Sequence, residues 1–426
     1  MARRRGSSFP TVTDVSARDE WRQFGLVPVA AGLGYATSVI HIYGIGPYIG
    51  PVAEAMGWSR TEVTFGLTIA TLVQAIGGIF IGLAVDRFGP RRFGVIGIVL
   101  LTVAFALLGA VGASLSQWYL LWGLIAMVSL PVQASVWTSA VASRFELSRG
   151  LALAVTLCGA SIAAGLFPIL GTWAIKTFGW RMAFAVHGGL WFVVAAPVIF
   201  LFFRGAHDRG ARKEPAPAKR DLPGATLGEG LRSSVYHRLF VASLLFTFTI
   251  IAIVVHFVSI LGDRGADAMT AAAIASFVGW FSLAGRLGTG VLLDRFPASL
   301  VGAAVFMLPV IGCLLLLGSG TSFLALALAS GLIGLTLGAE IDVVVYLITR
   351  HFGLRNFGGL YGGVLAALSI GTAVGPLVAA LIHDRTGSYE MFLYLAIGTM
   401  AASSLAIGTL PRGDRKYATA IGAACE

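Results

Sequence analysis

Gly82-Leu83-Ala84-Val85-Asp86-Arg87, running on through Phe88-Gly89-Pro90 to Arg91-Arg92, is answered 208 residues later by Gly290-Val291-Leu292-Leu293-Asp294-Arg295. Each copy closes a long apolar run with an acid–base pair. Ser161-Ile162 with Pro168 is matched by Ser369-Ile370 with Pro376, and Gly179 by Gly387, again at 208; Arg144 and Arg149 are matched by Arg350 and Arg355 at 206. Four registers in one order point to one unit used twice. Whatever the first half folds into, the second is expected to repeat.

The runs between these markers decide the fold class. Hydrophobic residues make up 57% of the chain and charged residues 12%, with a mean hydropathy of +0.85, far from the roughly one-quarter charged share of soluble domains. A bilayer core is crossed by about 20 mostly apolar residues of helix, and runs of that length recur throughout. They predict twelve transmembrane helices at roughly 25–53, 61–85, 93–114, 118–143, 150–173, 181–203, 239–261, 270–293, 299–318, 321–349, 357–382 and 389–410. The alternating segments of a membrane β-barrel are absent, so helices are left to satisfy the backbone in lipid. The expected architecture is all-α: two pseudo-symmetric six-helix bundles at 25–203 and 239–410, a short segment 1–24, a linker 204–238 rich in Lys, Arg, Pro and Gly, and a tail 411–426.

A net charge of +10 could suggest nucleic acid, but its distribution argues otherwise. Of 30 Lys and Arg, 24 fall in segments on the side of the two ends, five (Arg60, Lys176, Arg181, Arg264, Arg385) on the other, and Arg286 within a helix. That is the positive-inside bias. Both termini are expected in the cytoplasm, with the protein in the inner (plasma) membrane; Arg3, Arg4 and Arg5 can also meet anionic headgroups. No cleavable signal peptide is visible, since the first apolar run leads into further helices. Cys158 and Cys313 fall in apolar spans and Cys425 in the tail, so they read as packing residues and a bystander rather than a disulfide framework. There is no Gly-x-Ser-x-Gly elbow, no metal-spaced His/Cys cluster and no Walker loop. An enzyme, a bound cofactor and a metal site are not expected.

The stretch Gly82 to Arg92 resembles the signature of the major facilitator superfamily, and the likeness extends over essentially the whole chain. Within that superfamily, Tyr43-Gly44-Ile45-Gly46-Pro47-Tyr48-Ile49-Gly50-Pro51 with Met56-Gly57-Trp58-Ser59-Arg60 is similar to the first-helix region of the monocarboxylate porter and oxalate/formate antiporter groups. Gly285-Arg286-x-Gly288 and Tyr346-Leu347-x-x-Arg350-x-Phe352-Gly353, continuing to Tyr361-Gly362, point the same way. The resemblance implies a secondary carrier of small carboxylates that rocks around a central site and works as a monomer. Gly82, Asp86 and Arg87, with Asp294 and Arg295, are the gating candidates. Beyond anchoring topology, Asp86 can pair with basic groups or a helix N-terminus of the neighbouring half and latch the cytoplasmic side.

Three formal charges fall well inside the predicted spans: Arg286, Glu340 and Asp342. A charge at mid-bilayer costs at least about 2.5 kcal/mol, so each needs compensation. Arginine stays protonated and offers a planar fork that matches a carboxylate. Arg286 is therefore the leading substrate ligand, as the porter resemblance also implies, against a fixed ion-pair strut between helices eight and ten. Glu340 and Asp342 are the proton-coupling candidates. Two residues apart, they point about 200° away from each other. One is expected to face the cavity and the other to pack, with Asp342 preferred for the cavity because Tyr346 is one turn away. Animal members of the resembled family carry an aspartate four residues before this arginine, where this chain has Ser282. Oxalate/formate antiporters are associated with a lysine in helix eleven that is missing here, so a monoanion taken up with a proton fits better than dianion exchange.

His256 in helix seven, His41 and Tyr43 in helix one, and Gln133 and Trp137 in helix four complete the expected substrate pocket, because these helices line the cavity in the resembled fold. The alternative for each is helix–helix hydrogen bonding; His187 and Gln74 read as structural. Three other functions compete: a proton-driven exporter of drugs or amphiphiles, an organic-anion exchanger, and a sensor on a transporter scaffold. A permanent buried cation argues against cationic drugs, and the 204–238 linker is short for a signalling domain.

Overall fold

Apolar runs become helices throughout the computed structural model, which describes residues 16–205, 224–318, 320 and 322–411, without the side chains of Ile79, Leu83 and Asp86. Among the described residues nine helices are long and apolar enough to cross a bilayer. One of them, Arg149–Phe202, is two spans that meet at Gly179, whose φ of 74° interrupts the helix. Arg60–Phe88 and a broken run from Leu26 to Met56 complete twelve. Gly387, the repeat partner of Gly179, ends the eleventh span Phe357–Thr386 at φ 73°. A side chain would be strained at either place. The spacing repeat thus places a positive-φ glycine at both positions, although ψ differs, 158° at Gly179 and 5° at Gly387.

Two spans expected as single helices are broken. The first runs Leu26–Ser38, Ile40–Tyr43 and Gly46–Met56; the second break is followed at once by Pro47, which cannot donate to the ladder and opens the next helix. Close packing also demands glycine here: a Cβ on Gly46 would meet the Val255 carbonyl of the seventh span at 2.5 Å. The fourth runs Leu115–Ser129, then a 3-10 turn Leu130–Val132, an extended Gln133 and Ala134–Ala142. The seventh span, Ser234–Gly262, begins earlier than expected and follows a short helix, Leu227–Arg232, inside the expected linker. Asp294 and Arg295 belong to the last turn of the eighth span, Ala268–Arg295, rather than to a loop. Arg3 to Arg5, linker residues 206–223, the tail from 412 with Cys425, and the Asp86 carboxylate lie outside the described residues.

The first and last described segments lie on one face. There the Glu20 carboxylate, in the short helix Ala17–Phe24, accepts the amides of Glu146, Leu147 and Ser148 at 2.9 to 3.0 Å and the Ser148 hydroxyl at 2.8 Å. These donors hold its pKa down at about 2. On the same face Arg238 at the start of the seventh span donates to the Thr409 carbonyl at 3.0 Å, just past the twelfth, Glu390–Gly408.

Three seams join the bundles, the fifth span against the eighth, the second against the eleventh and, at Gly46, the first against the seventh. Each needs small residues so that backbones can touch. A Cβ on Gly279 would collide with the Gly165 amide and the Ser161 carbonyl. Ser282 donates to Ser161 Oγ at 2.5 Å, and Thr68 to the Ala373 carbonyl at 2.7 Å. Among the described residues, the bonds linking the bundles lie between mid-membrane and the face opposite the termini.

Candidate substrate-binding site

The eighth span is drawn tightly onto the tenth, Phe323–Phe352, by three glycines. A Cβ on Gly285 would strike the Leu335 carbonyl, one on Gly334 the Val278 carbonyl, and one on Gly338 the Ser282 carbonyl. At Gly338 the same Cβ would stand 2.9 Å from the Arg286 amide. One turn on, Asp342 meets the Arg286 side chain, Nη1 to Oδ1 3.8 Å.

That pair leaves Arg286 underused. The residue is only 9% exposed, yet its Nε and Nη1 have no hydrogen-bond partner among the described residues. A guanidinium has five donors to satisfy, and buried polar groups without partners are costly. Glu340, 4% exposed, also keeps a carboxylate oxygen without a partner. The Asp342 side chain retains 33% of its surface. Both acids lie close enough to feel the Arg286 charge; Asp342 is the more exposed of the two and Glu340 the buried one, the order that was expected.

Facing this cluster are groups from three other spans. Tyr35 and Tyr43 of the first and Tyr361 of the eleventh lie within electrostatic reach of Arg286 and Glu340. Cys158 of the fifth lies within reach of Arg286 and Asp342. Tyr43 was expected; Tyr35, Tyr361 and Cys158 were not given a site role. Tyr35 had one usable signal, as the lone phenol in an otherwise small and apolar stretch, residues 29–38.

Four expected pocket residues are elsewhere. His256 is fully buried, with Nε2 2.9 Å from the Pro376 carbonyl and Nδ1 2.9 Å from the Tyr389 hydroxyl. A carbonyl only accepts, so Nε2 donates and Nδ1 accepts, leaving the ring nothing for a substrate. His41, also fully buried, contacts Gln74 at 3.0 Å, and Gln74 donates to Ser129 at 2.6 Å. Gln133 donates to the Gln74 carbonyl at 2.9 Å. Trp137 donates to the Val132 carbonyl at 2.7 Å and fills the space beside Gly34 and Gly94. Each of these side chains is bonded within its own bundle, His256 in the carboxy-terminal one and the other three in the amino-terminal one.

Of the gating candidates, Gly82 leaves open space where a Cβ would be, and Arg87 is exposed with its guanidinium 5.3 Å over the Phe88 ring. Asp294 and Arg295 line a cleft of about 250 Å³ with Tyr346 and Arg350. Arg350 donates to Tyr346 Oη at 2.7 and 3.1 Å, so that hydroxyl is engaged by its own helix rather than by Asp342.

A family model, Major Facilitator Superfamily, matches residues 31–339. The chain belongs to that superfamily. It is a membrane transporter of the major facilitator type and not an enzyme. Similar superfamily proteins include monocarboxylate transporter 13 of Bos taurus, 27% identical over 82% of this chain and 80% of the relative. A chloramphenicol resistance protein of Streptomyces lividans is 30% identical over 77% and 83%, and the 3-(3-hydroxy-phenyl)propionate transporter of Escherichia coli (strain K12) is 25% identical over 89% and 88%. Among solved structures, a mutant of the nucleoside transporter NupG superposes with a TM-score of 0.70 at 10% identity, over 90% of this chain and 98% of that one. It shares the major facilitator fold.

Proposed function

We propose that this major facilitator carries a small monocarboxylate together with a proton, by alternating access around Arg286. The observation that carries the reading is the buried Arg286 guanidinium with Nε and Nη1 unpartnered. A substrate carboxylate supplies two oxygens to that fork. Asp342, held only at 3.8 Å, is then the resting counterion; the substrate displaces it, and it takes up the coupled proton. Glu340 supplies a second acid, and Tyr35, Tyr43 and Tyr361 receive the rest of the molecule. Two of the relatives are named for monocarboxylate and hydroxyphenylpropionate transport, which supports an aliphatic, hydroxy or aromatic acid.

By the charge bias the termini face the cytoplasm, so the bonded seams close the outer side and the site opens inwards in this conformation. Asp86, with Arg87, Asp294 and Arg295, latches the cytoplasmic side in the opposite state. The test is uptake of labelled short-chain, hydroxy and aromatic acids into proteoliposomes, with and without an inward proton gradient. Gradient-dependent accumulation of one class that vanishes in Arg286→Gln supports the reading. Equal uptake by that variant, folded and monodisperse, overturns it.

A second reading, proton-driven export of drugs or other amphiphiles, is supported by the chloramphenicol resistance relative. It predicts that chloramphenicol, and not carboxylates, protects the purified carrier against heat.

A further inference from the structure

A second polar cluster lies away from Arg286, on the face opposite the first and last described segments. Arg60, first residue of the second span, reaches across to the other bundle. Its Nη2 and Nη1 stand 3.2 and 3.4 Å from the two oxygens of Asp263. Nη1 also donates to Tyr389 Oη at 3.2 Å, and the guanidinium sits 5.4 Å from the centre of that ring. His383 holds the same Asp263 carboxylate at 3.1 Å.

The backbone is held as well. Ser59 caps the helix and takes the Glu62 amide at 3.1 Å, which leaves the first two amides without a partner of their own. Asp384, at the end of the eleventh span, accepts both: Arg60 N at 3.1 Å and Thr61 N at 2.8 Å, with the Thr61 hydroxyl at 2.5 Å. A carboxylate there also meets the positive end of the helix dipole. One helix end is thus gripped twice by the other bundle, through its side chain and through its amides.

His256 supports the grip from inside. Because Pro376 fixes its Nε2 as donor, the Tyr389 O–H points into Nδ1. The Tyr389 oxygen is then left to accept from Arg60.

We propose that Arg60 and Asp384, with Asp263 and a Tyr389 oriented by His256, form the clamp whose release opens the face opposite the termini during the transport cycle. The clamp is independent of substrate class, and its test needs no substrate. In a background with Cys158, Cys313 and Cys425 replaced by alanine, spin labels at Ala55→Cys and Ala268→Cys, both exposed on that face, report its opening by pulsed electron resonance. Labels at Glu146→Cys and Arg355→Cys, exposed on the terminal face, report the reciprocal closure.

Arg60→Gln and Asp384→Asn should each raise the long-distance population of the first pair several-fold and shorten the second pair. Tyr389→Phe should do the same more weakly, and Arg60→Lys should keep part of the clamp. Unchanged distances at both faces in Arg60→Gln and Asp384→Asn would overturn the proposal. So would lengthening at the first face without shortening at the second, which is mere loosening. Should either variant fail to stay monodisperse, Tyr389→Phe and Arg60→Lys decide by the same two distances.

Discussion

Arg286 Nη1 and Asp342 Oδ1 stand 3.8 Å apart, the one ion pair deep inside the membrane among the described residues. A tight bidentate pair would quench both charges and leave a strut. At this separation, Nε and Nη1 of the guanidinium keep no hydrogen-bond partner among the described residues, and on the proposed function an incoming carboxylate takes them.

Arg286→Gln should abolish carboxylate binding, because the loss of a desolvated charged partner costs roughly 2 to 5 kcal/mol, about thirty-fold or more in affinity. Arg286→Lys keeps the charge without the fork and should bind at an intermediate level. Calorimetry on monodisperse protein measures both.

Asp342→Asn tests the counterion role. Removing the competing carboxylate should leave substrate binding intact or tighter, while accumulation driven by a proton gradient is lost and substrate exchange persists. Counterflow compared with gradient-driven uptake separates the two. Loss of binding would instead make Asp342 part of the ligand set.

Gly338→Ala places a methyl against the Ser282 carbonyl, and overpacking of this kind costs about 1 to 3 kcal/mol. The tenth span must back away from the eighth, carrying Asp342 from Arg286. A lower melting temperature together with altered proton coupling is expected; Gly358→Ala, where nothing lies within 4 Å, serves as control.

Glu20 gives a pH signature outside the membrane. Its folded pKa of about 2 lies below the ordinary 4.5, so the stability it contributes is full above 4.5 and declines as pH falls towards 2. Glu20→Gln should melt below wild type at pH 7, and the gap should narrow when both are melted near pH 2.5.

The fold was legible because lipid imposes a length and an apolarity on each span that single residues cannot disguise. Gly179 and Gly387 were legible as a repeat, and the positive φ at each, 74° and 73°, gives the reason both are glycine. The breaks at Val39 and Gln133 were not, since membrane helices tolerate Gly and Pro where neighbours satisfy the freed groups. Arg286 could be found because burial of a lone cation is conspicuous. His256 was equally conspicuous, but its role rests on Pro376 and Tyr389, 120 and 133 residues away, and no local pattern carries that pairing. Arg60 looked like an ordinary charge at a helix end, for the same reason.

Of the four side chains that the amino-terminal bundle offered to the pocket, His41, Gln133 and Trp137 are bonded within that bundle and Tyr43 alone faces Arg286. The charged groups of the site all come from the carboxy-terminal bundle. On the proposed function the choice of an anion is therefore concentrated in one half of a duplicated molecule, while the other lends Tyr35, Tyr43 and Cys158 to the wall that faces the charge. A hybrid that joins this amino-terminal half to the carboxy-terminal half of a related carrier should inherit its cargo from the second parent, and the reciprocal hybrid should keep the preference of this chain.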